Sequence, residues 1–246
     1  MNYRAVLFDL DNTLVDDDAS ARRAIAAACE EAAACAPGLS VAQLREAYWN
    51  VSLEVWTAIA AELSNGRSAK EITGAEFRHL CWSKALAACG VSDDAVVCRV
   101  VECYGQSRDK ELMPFPEVEE VLAALRRRVK VAIITNGTAD THRRKLQLLG
   151  YDACFDCCVV AGEFGPAKPD PAIFVHTAEK LGVRPEECLM VGDNPETDVA
   201  GAKAAGMKAV WFRRELWPLP EGCPAPDYEI SDLREIIAIL DREAGE

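Results

Sequence analysis

Two carboxylates one residue apart, Asp9 and Asp11, end the apolar, β-prone run Ala5-Val6-Leu7-Phe8 near the start of the chain. On an extended segment, residues i and i+2 share one side, so both side chains point into one place as the strand stops. Like charges held that close repel, and a fold that keeps them normally supplies a cation. The plain alternative is an exposed turn after an edge strand, where Asp and Asn are common. Three later clusters bear on the choice: Thr135-Asn136-Gly137, Ala167-Lys168-Pro169-Asp170-Pro171, and Gly192-Asp193-Asn194 followed by Asp198.

Each cluster meets a different need of phosphoryl transfer. A carboxylate can act as nucleophile and carry the phosphoryl group, and Asp9 is the candidate. A second carboxylate can protonate the leaving oxygen and then deprotonate water, which suits Asp11. Thr135 offers a hydroxyl, and the backbone N–H groups of Asn136 and Gly137 at a helix start can bind phosphate oxygens. Lys168 supplies fixed positive charge, while Asp193 and Asp198 complete a set of hard oxygen ligands suited to Mg²⁺. The four aspartates outweigh Mg²⁺ and Lys168 by one unit, so a phosphate dianion enters a net-negative site unless Asp11 is protonated. That sum predicts a raised Asp11 pKa in the substrate complex. Singly, each cluster also has a structural reading: a strand-to-turn sequence, a solvated loop lysine, and an aspartate capping the next helix. Their order and spacing together point to chemistry.

The elements that must position these groups can be read from periodicity. After Thr13, residues 16–111 are helical in texture. An alanine-rich stretch, Ala19 to Cys35, breaks at Pro37-Gly38, and a helix opened by Ser40-Val41-Ala42-Gln43 carries Leu44, Tyr48, Val51 and Val55 on one face and ends by Ser64-Asn65-Gly66. Thr73-Gly74-Ala75-Glu76 opens another, and Ser92 precedes a fourth carrying Val96, Val97, Val100 and Tyr104. From Pro114 helices and strands alternate. A helix opens at Pro116; strands are expected at Val129–Ile134, Cys157–Val160, Cys188–Val191, Lys208–Phe212 and Tyr228–Ile230. The fold class is therefore α/β: a Rossmann-like, doubly wound parallel sheet formed by residues 1–15 and 112–246, with an inserted all-helical cap over 16–111. In such sheets ligands bind beyond the carboxyl ends of the strands, where all four clusters then converge.

Bulk properties narrow the class. The chain has 246 residues, half of them hydrophobic, and a net charge of −13. That charge disfavours a nucleic-acid polymer as partner. No apolar run reaches membrane-spanning length, and the N-terminus lacks the pattern of a secretory signal, so neither a membrane nor export is expected. Eleven cysteines, an odd number scattered through helices and strands, read as reduced core residues of a cytoplasmic protein. Cys154, Cys157 and Cys158 have no second Cys or His pair at zinc spacing.

Four motifs then carry a resemblance: Phe8-Asp9-Leu10-Asp11-Asn12-Thr13, Ile134-Thr135-Asn136-Gly137, Lys168-Pro169-Asp170-Pro171, and Val191-Gly192-Asp193-Asn194-Pro195-Glu196-Thr197-Asp198. In this order they resemble the haloacid dehalogenase superfamily, specifically its phosphatase branch with a helical cap of the C1 type. The core is similar to N-acylneuraminate phosphatase and pyrimidine nucleotidase-like members; the cap matches neither. The resemblance covers essentially the whole chain. It implies Asp9 as nucleophile, Asp11 as acid/base and Lys168 as charge stabiliser. It also implies Mg²⁺ held by Asp9, the backbone carbonyl of Asp11 and Asp193, with Asp198 ordering the metal's waters. Dehalogenase members lack the second aspartate, so Asp11 favours phosphate chemistry.

The expected activity is Mg²⁺-dependent hydrolysis of a small phosphate monoester, a sugar phosphate or nucleotide-like metabolite, through an aspartyl phosphate, by a monomer or homodimer. The alternatives are a 2-haloacid dehalogenase, a phosphoglucomutase-like phosphotransferase and a catalytically silent binding module. For substrate choice the candidates are Trp49, Trp56 and Trp82 and the cations Arg45, Lys70 and Arg78. Asp16, Asp17 and Asp18 add negative charge near the entrance, which favours hydroxyl-bearing substrates over those with a second anion. His142 follows the Thr135 cluster without a legible direction. Trp211 and Trp217 near the C-terminal edge are read as packing on the sheet.

Overall fold

The computed structural model of the chain describes residues 3–64, 68–214 and 218–244. Six parallel strands form one sheet: β1 (Ala5–Phe8), β2 (Lys130–Thr135), β3 (Cys157–Val160), β4 (Cys188–Gly192), β5 (Lys208–Phe212) and β6 (Tyr228–Ile230), in the order β3-β2-β1-β4-β5-β6. Strand β1 lies centrally, with Phe8 opposite Ile133 on one side and Val191 on the other. The chain order reverses direction at β1, which makes its carboxyl end the topological switch point.

Alternation along each strand feeds two apolar layers. Val6, Phe8, Ile133, Val191 and Phe212 pack with α5 (Val118–Leu125) and α10 (Glu235–Ala244). Ala5, Leu7, Ile134, Met190 and Trp211 pack with α8 (Pro171–Leu181) and α9 (Ala200–Ala204). With both faces covered, β1 is wholly buried. The remaining core helices are α6 (Ala139–Leu149) and the single turn α7 (Ala161–Phe164).

Between β1 and α5 the chain forms four helices, α1 (Asp17–Cys35), α2 (Val41–Ser64), α3 (Gly74–Ala88) and α4 (Asp94–Lys110). They enclose an apolar core of their own, including Ala28, Leu44, Val55, Leu86 and Val100. Tyr48 stacks on Trp82 at 4.0 Å between ring centroids, and Tyr104 closes the trio. The capping sequences act as expected: the Ser40 hydroxyl accepts from the Gln43 N–H, and Thr73 accepts from the N–H of Glu76. The two connections to the sheet meet each other. Val15 bridges Pro114, Asp16 N–H donates to the Met113 carbonyl, and Phe115 N–H donates to that of Leu14.

Several expectations shift. The fourth helix is capped by Asp93, not Ser92, and α5 begins at Val118 after a turn rather than at Pro116. The expected helix end at Asn65-Gly66 and Trp217 lie outside the described residues. Trp211 is buried, and its indole N–H donates to the Asp193 carbonyl. All eleven cysteines are unpaired, but only Cys29, Cys81 and Cys188 are fully buried and Cys98 is exposed. No helix of the described residues is long and apolar enough to cross a membrane.

Candidate active site

Parallel strands put the ends of β1, β2 and β4 on one edge, and the predicted residues gather there. Asp9 follows β1 directly, its N–H held by the Val191 carbonyl at 2.9 Å. Lys168 is buried and donates to Asp9 Oδ1 at 2.5 Å and Asp198 Oδ1 at 2.7 Å. Asp193 stands beside them, its carboxylate accepting from the Thr13 hydroxyl at 3.2 Å.

Oxygen atoms of Asp9, Asp193 and Asp198 lie within 4.8 Å of one another. Burial raises the Asp9 carboxyl well above its ordinary range; Lys168 opposes this, and Asp198 and Asp193 reinforce it. Burial likewise pushes Asp193 up to about 7, aided by Asp198. Two buried carboxylates and the half-buried Asp193 against one ammonium, offering only oxygen donors, fit a hard divalent cation. Asp198 has both oxygens engaged, by Lys168 and by the Asn194 N–H at 3.1 Å. That suits it to a place behind the ligands.

The loop after β4 owes its shape to close packing. Asn194 caps the π-helical turn Pro195–Val199, accepting from the N–H groups of Glu196 and Thr197. Gly192 leaves room for Asp198: a Cβ there would lie 2.2 Å from Asp198 Oδ2. Gly192→Ala is therefore expected to displace Asp198 and destabilise the fold by about 1–3 kcal/mol. Chemical denaturation checks this, and an unchanged midpoint would show that the loop relaxes freely.

Asp11 turns to different company. Its carboxylate accepts from Lys145 Nζ at 2.7 and 2.8 Å and lies 3.0 Å from His142 Nε2. Both partners sit on one face of α6 and are buried. Gly137 makes room for the imidazole, since a Cβ would meet His142 Nδ1 at 1.7 Å. Burial alone would raise the Asp11 carboxyl, but Lys145 and His142 outweigh it and hold the group far below the usual carboxylate range. The sequence-level charge sum omitted Lys145, so its reason for a raised Asp11 pKa falls away. Spacing did not reveal Lys145 or the direction of His142. Their three-residue separation, hence shared helix face, was the available signal.

Other residues also find different duties. Asn136 donates its side-chain amide to the Lys168 carbonyl and accepts from the Lys168 N–H, both at 2.7 Å, so its side chain clasps the lysine loop. Thr135 is buried at the end of β2. Among the described residues, only Asp17 of the acidic triplet is ion-paired. Asp16 caps α1; Asp17 accepts from Arg108 Nη2 and Lys145 Nζ, each at 2.6 Å; Asp18 bonds Asn12. Asp18 is exposed and lines the cavity, so part of the expected negative charge stands at the entrance. Trp82 belongs to the helical core, whereas Trp49, Trp56 and Arg78 line a cavity of about 830 Å³ reaching Asp11, Gly137, His142 and Lys145. Arg45 and Lys70 do not line it.

The helical segment docks over this edge through polar contacts. Asp140 of α6 accepts from the N–H groups of Gly74 and Ala75, at 2.8 and 3.0 Å, at the start of α3. Arg78 donates to the Thr141 hydroxyl at 2.9 Å, and Arg144 donates to Asp109 at 3.0 Å.

The chain is 32% identical over 250 residues to N-acylneuraminate-9-phosphatase of Mus musculus, covering 96% of this chain and 93% of that one. The structure of the HAD-hydrolase YfnB from Bacillus subtilis, bound to magnesium, matches with a TM-score of 0.77, covering 98% of this chain and 100% of that one. At 23% identity this is a likeness of fold. A 2-haloacid dehalogenase from Pseudomonas syringae pv. Tomato matches with a TM-score of 0.70 and 29% identity, over 98% and 99% of the two chains. The model of the haloacid dehalogenase-like hydrolase family matches residues 3–206, and the chain belongs to that family.

Proposed function

We propose that this chain is a Mg²⁺-dependent phosphatase of small phosphate monoesters, with residues 16–111 capping a core of residues 1–15 and 112–246. One observation carries the reading. The two carboxylates at the end of β1 have opposite settings: Asp9 sits among Lys168, Asp193 and Asp198, and Asp11 sits between Lys145 and His142. A nucleophile beside a cation site and a separate proton carrier are what hydrolysis through a covalent phosphoryl-enzyme requires.

In this scheme Asp11 takes up a proton as the substrate's negative charge enters beside it; an Asp9 oxygen then attacks phosphorus, the ester P–O bond breaks, and Asp11 gives that proton to the leaving oxygen. Water then attacks the phosphorus of the aspartyl phosphate, Asp11 takes its proton, and inorganic phosphate leaves with Asp9 restored. Lys145 and His142 keep the Asp11 carboxyl aimed. Lys168 offsets negative charge at the reacting oxygens. The Thr135 hydroxyl and the backbone N–H groups of Asn136 and Gly137 hold the phosphoryl oxygens, and Asn136 also keeps the Lys168 loop in register. Asp9, the Asp11 carbonyl and Asp193 would hold Mg²⁺, with Asp198 behind them; the ion supplies charge neutralisation for an incoming dianion. The unpaired cysteines support a cytoplasmic setting.

The relative's name, N-acylneuraminate-9-phosphatase, supports phosphatase chemistry. Likeness to a 2-haloacid dehalogenase keeps one rival in view, and Asp11, held by Lys145 and His142, speaks against it. Release of phosphate from 4-nitrophenyl phosphate and a panel of phosphometabolites, with and without Mg²⁺, tests the reading. No Mg²⁺-dependent release would overturn it, and chloride release from 2-chloropropionate would install the dehalogenase instead. Saturating Mg²⁺ is further expected to stabilise the fold, by about 2.7 kcal/mol at a hundredfold excess over Kd. Asp193→Asn should remove most of that gain in a thermal melt.

A further inference from the structure

Helix α2 carries two apolar stripes where one would suffice. Leu44, Tyr48, Val51 and Val55 face the core of the helical segment. Trp49, Leu53 and Trp56, at helical spacing i, i+4 and i+7, form a second stripe on the cavity wall. Trp49 and Trp56 are each 43% exposed and Leu53 is 68% exposed. Phe77 of α3 meets Trp56 edge-on at 6.0 Å and extends this wall.

Among the described residues of the opposite wall every cation is paired, while Asp18 is exposed and bonded only to Asn12. Arg108 is paired with Asp17, Arg144 with Asp109, Lys145 with Asp11, and Arg78 lies 3.9 Å from Asp140. A second negative charge on a ligand would find no unpaired cation there and would meet Asp18. An apolar flat surface would gain by covering the tryptophans, which otherwise stay in contact with water. The cavity volume lies within the range of pockets that enclose drug-sized ligands, far more than a three-carbon phosphate fills.

We propose that the leaving group of the substrate is a large, flat moiety without a second negative charge, an aryl or heteroaryl system, seated against Trp49, Leu53 and Trp56. This rests on the phosphatase reading of the adjoining Asp9–Asp11 site. Trp49 and Trp56 are thereby residues that determine specificity, and they touch the part of the substrate farthest from the phosphate.

Binding and turnover separate the two claims. Calorimetry on Asp9→Asn with Mg²⁺ compares 1-naphthyl phosphate with glycerol 2-phosphate; the naphthyl ester is expected to bind about tenfold tighter or more. Trp49→Ala and Trp56→Ala should each lower that selectivity ratio about tenfold, and Trp56→Phe should restore most of it. Equal affinity for the two esters, or an equal loss of both in the alanine variants, would overturn the proposal. Phosphate release by the unmodified protein reports on the other claim. Tight aryl binding without release would leave this wall assigned and sink the phosphatase reading. Release without aryl preference would do the reverse.

Discussion

Asp9→Asn is expected to lower kcat for phosphate release by about 10³-fold or more, because on the proposed mechanism the amide cannot form the covalent phosphoryl bond. The protein is expected to melt no lower than the unmodified chain in the absence of Mg²⁺. The substitution leaves two carboxylates instead of three in the buried cluster, and Lys168 keeps its bond to Asp198. Loss of activity with stability retained is the signature of a functional group held against its own electrostatic interest. A steady-state rate within tenfold of the unmodified protein would remove Asp9 from the nucleophile's role.

Lys168→Met should lose both properties. The ammonium is the cation bonded to Asp9 and Asp198 in a setting closed to water, and its own pKa is raised: burial lowers it, but Asp198 and Asp9 more than compensate. Removing one partner leaves two buried carboxylates without compensation, which costs about 3–5 kcal/mol in comparable buried pairs. Urea denaturation without metal measures this, and kcat should fall alongside. Mg²⁺ should recover part of the stability but little of the rate, since an ion held by Asp9 and Asp193 would not replace the ammonium between Asp9 and Asp198. If the variant unfolds at the same urea concentration as the unmodified chain, the lysine is not the charge that holds this cluster together.

How much of this was legible in the chain depends on the range of the forces involved. Asp9, Lys168 and Asp193 could be placed because each stands at the end of a short apolar run or beside prolines, and parallel topology brings such ends to one edge. The sheet strands were readable within a residue or two for the same reason. Lys145 and His142 escaped because a helix start is visible in sequence while the rotation of the helix about its axis is set by packing. Asp17 was misread as a free charge because its partners, Arg108 and Lys145, lie 91 and 128 residues away. Asn136 was assigned by its backbone alone, whereas its side chain bonds a loop 32 residues on. Local patterns thus located the strand ends, and long-range pairing decided which polar group serves which neighbour.

The bridge between Val15 and Pro114 has a bearing on how such a chain can change over generations. The helical segment leaves the sheet and returns to it at one point, so from the sheet's side it is a loop whose two ends are already tied. Lengthening or replacing such a loop is thermodynamically gentle, since each doubling adds only about 0.6 kcal/mol of closure entropy. The registers that place Asp9, Thr135 and Asp193 do not pass through it. Selection can therefore rewrite the wall that carries Trp49 and Trp56 while the reacting groups stay where they are.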